Sequence, residues 1–179
     1  MYQVKADSRK LTKLATSPSC VRPLTVSGRV MRIVERRQID RPAGKIWPFI
    51  ICPEHFQKWN KKIISLEAKG EFRLGQLFST HYQMSGKQIQ CTSTATAIQE
   101  GRLLELRHSH CIGQGINPEL EVRERITLEE AKGRTVVTKE VIIKHHHAPW
   151  ILMPIIWFVT RFGKPSEPDA LKLMCESDA

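Results

Sequence analysis

The sequence lacks the cysteine patterns that stabilise small secreted domains or bind zinc. Its five cysteines are an odd number, and no two of them have the Cys-x-x-Cys spacing. The odd count argues against a disulfide framework, and the missing spacing argues against a zinc ribbon. We therefore expect free thiols and a reducing compartment, the cytoplasm. Cys91 and Cys111 lie in strand-like stretches and are predicted to be small buried apolar residues.

Several signatures of catalysis and of nucleic-acid binding are also absent. There is no phosphate-binding glycine-rich loop and no Gly-x-Ser-x-Gly nucleophile elbow. Gly113-Gln114-Gly115 is too short for a dinucleotide-binding fingerprint. The strands lack the aromatic and basic pattern of single-strand RNA binders. We therefore predict no cofactor, and no motif identifies a particular reaction.

A strongly apolar run, Trp150 to Val159, is shorter than the roughly 20 residues that cross a bilayer. A helix that is apolar on every side is usually buried on every side, so we predict a buried C-terminal helix here. Pro154 should kink it or mark its first turn. An interfacial membrane helix is the alternative.

Acidic residues are in the minority. The 179 residues contain 28 Lys and Arg against 18 Asp and Glu, a formal net charge of +10. This excess favours an anionic partner, such as RNA or a membrane surface, although scattered basic residues are also typical of an ordinary solvated surface. Residues 1–28 form a basic N-terminal extension, which is interpreted as a mobile arm, an organelle-targeting segment or a segment without a role. Residues 29–179 are long enough for one domain.

Alternating apolar and polar residues, separated by turn signals, predict an antiparallel meander. The predicted strands are 30–39, 62–69, 76–84, 87–98, 103–112, 120–128 and 135–143. Between the first two strands, prolines at 42 and 53 mark the starts of two short helices. A segment after the last strand, 169–176, can complete the C-terminal helix.

The residues around the two short helices resemble those of a known superfamily. The residues that carry the resemblance are Ile39, Pro42, Ile46, Trp47, Pro53, Trp59 and Asn60. With the order of elements over 30–175, they resemble the START-like, polyketide cyclase–dehydratase superfamily (SRPBCC) of helix-grip proteins. The resemblance implies an α+β fold: a curved antiparallel sheet of about seven strands around a long C-terminal helix, with two short helices after the first strand.

The resemblance also implies a function. Members of this superfamily bind lipids or other hydrophobic molecules in a cavity between the sheet and the C-terminal helix. Binding of a hydrophobic small molecule is therefore the first hypothesis. A cofactor-independent cyclase or dehydratase is the second, and an interaction module for RNA, the ribosome or an anionic membrane is the third. The oligomeric state stays open.

Two charged residues interrupt the apolar, inward-facing positions of the last two predicted strands. Glu124 lies among the apolar residues of 120–128, and Lys139 lies among those of 135–143. If Lys132-Gly133 is a two-residue turn, the two become diagonal neighbours and can pair on the cavity side, because a buried charge needs a partner. In the alternative, a bulge shifts the register and both face water.

Two histidines are further candidates. His108 and His110 have the spacing that places both on one face of a strand, with Leu104 and Leu106. They are interpreted as polar lining and, with Glu124, as candidate general acids or bases. A metal would need a third ligand, so none is predicted. The other predicted lining residues are large side chains, for which core packing is the alternative: Trp47, Phe49, Tyr82, Trp150, Met153 and Trp157.

Overall fold

The computed structural model describes residues 22–27, 30–84, 86–145 and 167–177. Within them the chain forms one antiparallel sheet and three helices. The apolar run from Trp150 to Val159, predicted to begin the C-terminal helix, lies outside the described residues.

The sheet has eight strands in the order β1-β2-β8-β7-β6-β5-β4-β3. Their bounds are β1 Arg22–Ser27, β2 Val30–Ile39, β3 Ile63–Leu66, β4 Leu77–Met84, β5 Lys87–Gln99, β6 Leu103–Gly113, β7 Glu121–Ala131 and β8 Arg134–Lys144. The seven predicted strands are present as β2 to β8. The sequence did not predict β1, which extends the sheet beyond β2.

The turn between β7 and β8 fixes the register of the candidate residues. Lys132 and Gly133 both have positive φ, 55° and 74°, and Ala131 pairs with Arg134. Two positive φ values match the right-handed twist of the flanking strands. The predicted two-residue turn is therefore confirmed, and the pairing continues regularly to Glu121 and Lys144.

Prolines begin the two short helices after β2. Pro42 caps α1 (Ala43–Ile51), and Pro53 is the first residue of α2 (Pro53–Trp59). A proline costs little in the first turn of a helix, because its missing N–H has no intrahelical acceptor there. The core face of α1 carries Ile46 and Ile50, both fully buried.

The C-terminal helix α3 (Glu167–Ser177) contacts β2, α1 and α2. Its Leu171 and Cys175 are buried in the core that also contains the apolar faces of both short helices. The helices thus close one end of the concave face of the sheet, as the fold prediction required. Among the described residues, no helix combines the length and the apolar character needed to cross a membrane.

Candidate functional site

The concave face of the sheet encloses a cavity of about 130 Å³. Most of its surface is apolar, because apolar side chains occupy many of the inward positions of the alternating strands. The apolar residues are Ile33, Ile89, Leu120, Val122, Val141 and Ile143, together with Cys91 and Cys111. The polar residues are Glu35, Asn60, Lys62, Tyr82, His108, Glu124 and Lys139.

Glu124 and Lys139 form a buried ion pair on the cavity wall. Glu124 lies opposite Val141, and Lys139 lies opposite Ile126, so the two are diagonal neighbours. Lys139 Nζ is 2.8 Å from Glu124 Oε1, and the side chains are only 4% and 6% exposed. Their pairing agrees with the register predicted from the sequence. Their role toward a ligand stays a prediction.

Two further contacts hold this pair in place, and a third residue lies opposite it on the neighbouring strand. Asn60 Nδ2 donates a hydrogen bond to Glu124 Oε1 at 3.2 Å. The ammonium of Lys139 lies 5.2 Å from the centroid of the Trp59 ring, where a cation–π attraction is expected. Glu35 lies opposite Lys139 on β2. The end of α2 and the centre of the sheet therefore meet at Glu124.

The carboxyl group of Glu124 is ionised at neutral pH. Burial by itself raises its pKa, because a charged group loses hydration. Attraction to the Lys139 ammonium and interactions with His108 outweigh that cost and lower the pKa of Glu124 to about 2. The cavity therefore contains a fixed negative charge beside a fixed positive one.

His108 connects the ion pair to a chain of hydroxyl groups. Its Nδ1 is 2.7 Å from Ser93 Oγ, and Ser93 Oγ is 2.8 Å from Thr80 Oγ1. The Tyr82 hydroxyl is 3.1 Å from Nε2 and 3.2 Å from Nδ1. His108 Nε2 lies 3.7 Å from Glu124 Oε2. A buried imidazole beside a carboxylate and a phenol is a composition that suits proton transfer or hydrogen bonding to a guest.

His110 does not share the face of His108, which corrects the sequence prediction. Gln90 pairs with Ile112 and Thr92 with Ser109, so the single residue Cys91 lies opposite both His110 and Cys111. This is a β-bulge, and His110 takes its extra position with φ 50°. His108 is buried, whereas His110 is exposed. The two imidazoles cannot line one cavity or bind one metal ion.

The bulge also places Cys111 on the inner face, where it forms a disulfide with Cys91. The prediction that both sulfurs are free thiols is wrong. Without the bulge, alternation from His108 would turn position 111 outward and away from Cys91. Of the other cysteines within the described residues, Cys52 and Cys175 take no part in a disulfide.

The predicted aromatic lining is divided. Tyr82 lies on the cavity wall. Trp47 and Phe49 belong to the core beneath α1 instead, where Trp47 is buried and the Phe49 carbonyl accepts a hydrogen bond from Trp59 Nε1 at 2.8 Å. Neither ring lines the cavity, and the Phe49 ring packs against His55 of α2, with 5.4 Å between the ring centroids. The other three predicted residues, Trp150, Met153 and Trp157, lie outside the described residues.

Three polar residues near the cavity were not predicted from the sequence to be part of the site. Asn60 entered only through the family resemblance, although it is 2% exposed and bonded to Glu124. Thr80 and Ser93 are fully buried, and alternation along their strands placed Ser93 inward. A polar residue at an inward strand position was the available signal for Ser93. No local signal connects residues 60 and 124, because only the folded sheet brings them together.

The sheet, the two short helices and the C-terminal helix together are the helix-grip fold of START-like proteins, as the resemblance predicted. No family model and no curated protein matches the chain.

Solved structures of this fold resemble the chain at low sequence identity. A START superfamily protein from Mycobacterium smegmatis superposes with a TM-score of 0.63 at 11% identity, over 83% of this chain and 99% of that one. Ara h 8.0201 gives a TM-score of 0.57 at 19% identity, over 83% and 99% of the two chains. DynU16, a protein of the dynemicin biosynthetic locus, gives 0.55 at 17% identity, over 85% of this chain and 49% of its own. These likenesses establish the fold.

Proposed function

We propose that this protein binds a hydrophobic small molecule in the cavity on the concave face of its sheet. The observation that carries the proposal is the composition of the wall, which is mostly apolar but contains a buried, hydrogen-bonded polar cluster. Small-molecule sites typically combine apolar walls with a few converging polar groups. The START-like fold supports the same class of function, because its members enclose hydrophobic ligands.

The size of the cavity sets the size of the first probe. Its volume of about 130 Å³ is close to that of an engineered apolar cavity of about 150 Å³ that takes up benzene. Ethylbenzene is therefore a suitable test molecule.

Native mass spectrometry and organic extraction of the purified protein should reveal a co-purified apolar molecule. Titration with ethylbenzene, followed by NMR of the backbone amides, should give saturable shifts around Val122 and Val141. The variant Val122→Phe should weaken binding at least about tenfold by filling the cavity. Arg123→Phe is the matched control, because the neighbouring side chain lies on the outer face and is 40% exposed. No co-purified molecule, no saturable shift and no difference between the variants would contradict the proposal.

A second candidate is a cofactor-independent cyclase or dehydratase. The observation that favours it is the position of His108, which lies on the cavity wall between the Tyr82 hydroxyl and the Glu124 carboxylate. Such a residue can accept or donate a proton during an aldol closure or a dehydration. With a poly-β-ketone thioester mimic as substrate, His108→Gln should abolish product formation while ethylbenzene still binds. Equal conversion by both proteins, or by neither, would contradict this candidate.

A further inference from the structure

The polar end of the cavity has a distinctive set of hydrogen-bonding atoms. Glu124 Oε1 is occupied, because it accepts from Lys139 Nζ at 2.8 Å and from Asn60 Nδ2 at 3.2 Å. These two contacts orient the carboxylate so that Oε2 is directed toward His108. The distance from Oε2 to His108 Nε2 is 3.7 Å, which is too long for a hydrogen bond.

The tautomer of His108 follows from its neighbours. A carboxylate beside Nε2 favours a proton on that nitrogen, because the ionised oxygen attracts an N–H dipole. Nδ1 is then an acceptor, and Ser93 Oγ donates to it across 2.7 Å. One small space is therefore bordered by three groups. The His108 Nε2–H is a hydrogen-bond donor, Glu124 Oε2 is a charged acceptor, and the Tyr82 hydroxyl is a phenol.

The separation of Oε2 and Nε2 allows one oxygen atom to bridge them. An atom about 2.7–2.9 Å from both Oε2 and Nε2 makes two ordinary hydrogen bonds, and the 3.7 Å separation of those atoms permits it. The Tyr82 hydroxyl, 3.1 Å from Nε2, lies beside the same position. The guest oxygen must donate to Oε2 and accept from Nε2–H.

We propose that this space, bordered by Tyr82, His108 and Glu124, is a subsite for the hydroxyl group of an apolar phenol or alcohol. The inference rests on the proposed function and specifies the class of ligand. Among simple polar groups, a hydroxyl both donates and accepts. A carbonyl or an ether can only accept, which leaves Oε2 without a donor. A carboxylate brings a second negative charge against an ionised one.

The charges around the cavity support the choice of a neutral ligand. Glu35 and Glu124 face Lys62 and Lys139 on the same wall, so the two signs are balanced. Lys139 is engaged by Glu124 and lies over the Trp59 ring. An anionic guest therefore gains no net attraction, whereas a neutral hydroxyl gains hydrogen bonds to the buried groups of His108 and Glu124, where the low local dielectric makes them strong.

The test uses four probes that differ in one substituent: 4-ethylphenol, 4-ethylanisole, ethylbenzene and 4-ethylbenzoate. Each is titrated into the full chain by isothermal calorimetry and by amide NMR. We expect 4-ethylphenol to bind at least about tenfold more tightly than 4-ethylanisole or ethylbenzene, because only the phenol donates to Oε2. We expect 4-ethylbenzoate to bind most weakly.

Two variants assign the preference to the subsite. Tyr82→Phe keeps the ring and removes one hydroxyl, so it should reduce the preference for the phenol over ethylbenzene. Glu124→Gln should abolish the preference. If that variant does not fold, the four-probe series on the unmodified protein and on Tyr82→Phe still decides the question.

The outcomes separate this inference from the proposed function. If the phenol and ethylbenzene bind equally, the hydroxyl subsite is disproved and apolar binding stands. If 4-ethylanisole matches the phenol, the guest only accepts hydrogen bonds and the role assigned to Oε2 is wrong. If none of the four probes gives saturable binding, both the proposed function and the subsite fail.

Discussion

At the scale of single residues, Glu124 shows what a sequence can reveal about a buried site. A charged residue at an inward position of an otherwise apolar strand needs a compensating partner. The two-residue turn at Lys132 and Gly133 was enough to identify Lys139 as that partner, since the register follows from the turn. Asn60 and Trp59 could not be assigned in this way, because their contacts with the pair depend on how α2 sits on the sheet.

The low pKa of Glu124 makes stability depend on pH. Its pKa falls from 4.5 in an unfolded reference to about 2 in the folded chain. Between these two pH values the unfolded state therefore binds more protons than the folded state. The stabilisation is fully present above about pH 5 and is lost as the pH falls toward 2. The difference corresponds to about 3 kcal/mol of unfolding free energy. Urea unfolding followed between pH 7 and pH 2 should show this loss.

Two variants isolate the contribution of this carboxyl group. Glu124→Gln, combined with Lys139→Met so that no buried charge is left unpaired, should remove most of the pH dependence in this range. Glu129→Gln on the exposed side of the same strand should keep it. A double variant with the same slope as the unmodified protein would show that other carboxyl groups cause the acid sensitivity.

At the scale of elements, the bulge in β6 explains why the predictions for His110 and Cys111 were wrong. Strict alternation gave His108 and His110 one face, and a single extra residue moved His110 outward and Cys111 inward. A bulge leaves little trace in a sequence, because the strand on each side keeps its normal pattern. The odd number of cysteines also favoured free thiols. An odd number, however, does not prevent two of the cysteines from forming one disulfide.

The Cys91–Cys111 disulfide is expected to stabilise the pairing of β5 and β6. It closes a loop with a sequence separation of 20, and the lower entropy of the cross-linked unfolded chain predicts a stabilisation of about 3 kcal/mol. Urea unfolding with and without tris(2-carboxyethyl)phosphine should show a loss of this size on reduction.

The double variant Cys91→Ala and Cys111→Ala is the control, and its unfolding should not respond to the reductant. Alkylation of the unfolded, unreduced chain should leave both residues unlabelled in peptide mass spectra. Full labelling of Cys91 and Cys111 without reductant would contradict the disulfide.

At the scale of the whole molecule, several basic side chains on the outer face of the sheet lie beside acidic ones. Arg32 pairs with Glu140, and Arg123 and Arg125 lie 3.9 and 3.7 Å from Glu105. Neighbouring carboxylates therefore offset part of the positive charge of this face. Binding of RNA or an anionic membrane stays a prediction from the net charge.

The stability of the folded chain is expected to depend on the docking of α3, because this helix covers the core beside β2 and the two short helices. Leu171 is 1% exposed, whereas Leu173 on the same helix is 69% exposed. Leu171→Ala should lower the unfolding free energy by about 3 kcal/mol through lost burial and a residual cavity. Leu173→Ala makes the same chemical change and should cost less than about 0.5 kcal/mol.

Urea unfolding of both variants separates docking from helix propensity, since leucine and alanine are both good helix formers. If the two variants lower the unfolding free energy by the same amount, α3 contributes to stability as a helix without packing on the sheet. If Leu171→Ala alone is costly and also weakens ethylbenzene binding, closure of the core by α3 is coupled to the cavity. If ethylbenzene binding is unchanged, the core beneath α3 and the cavity around Glu124 are energetically separate parts of one sheet.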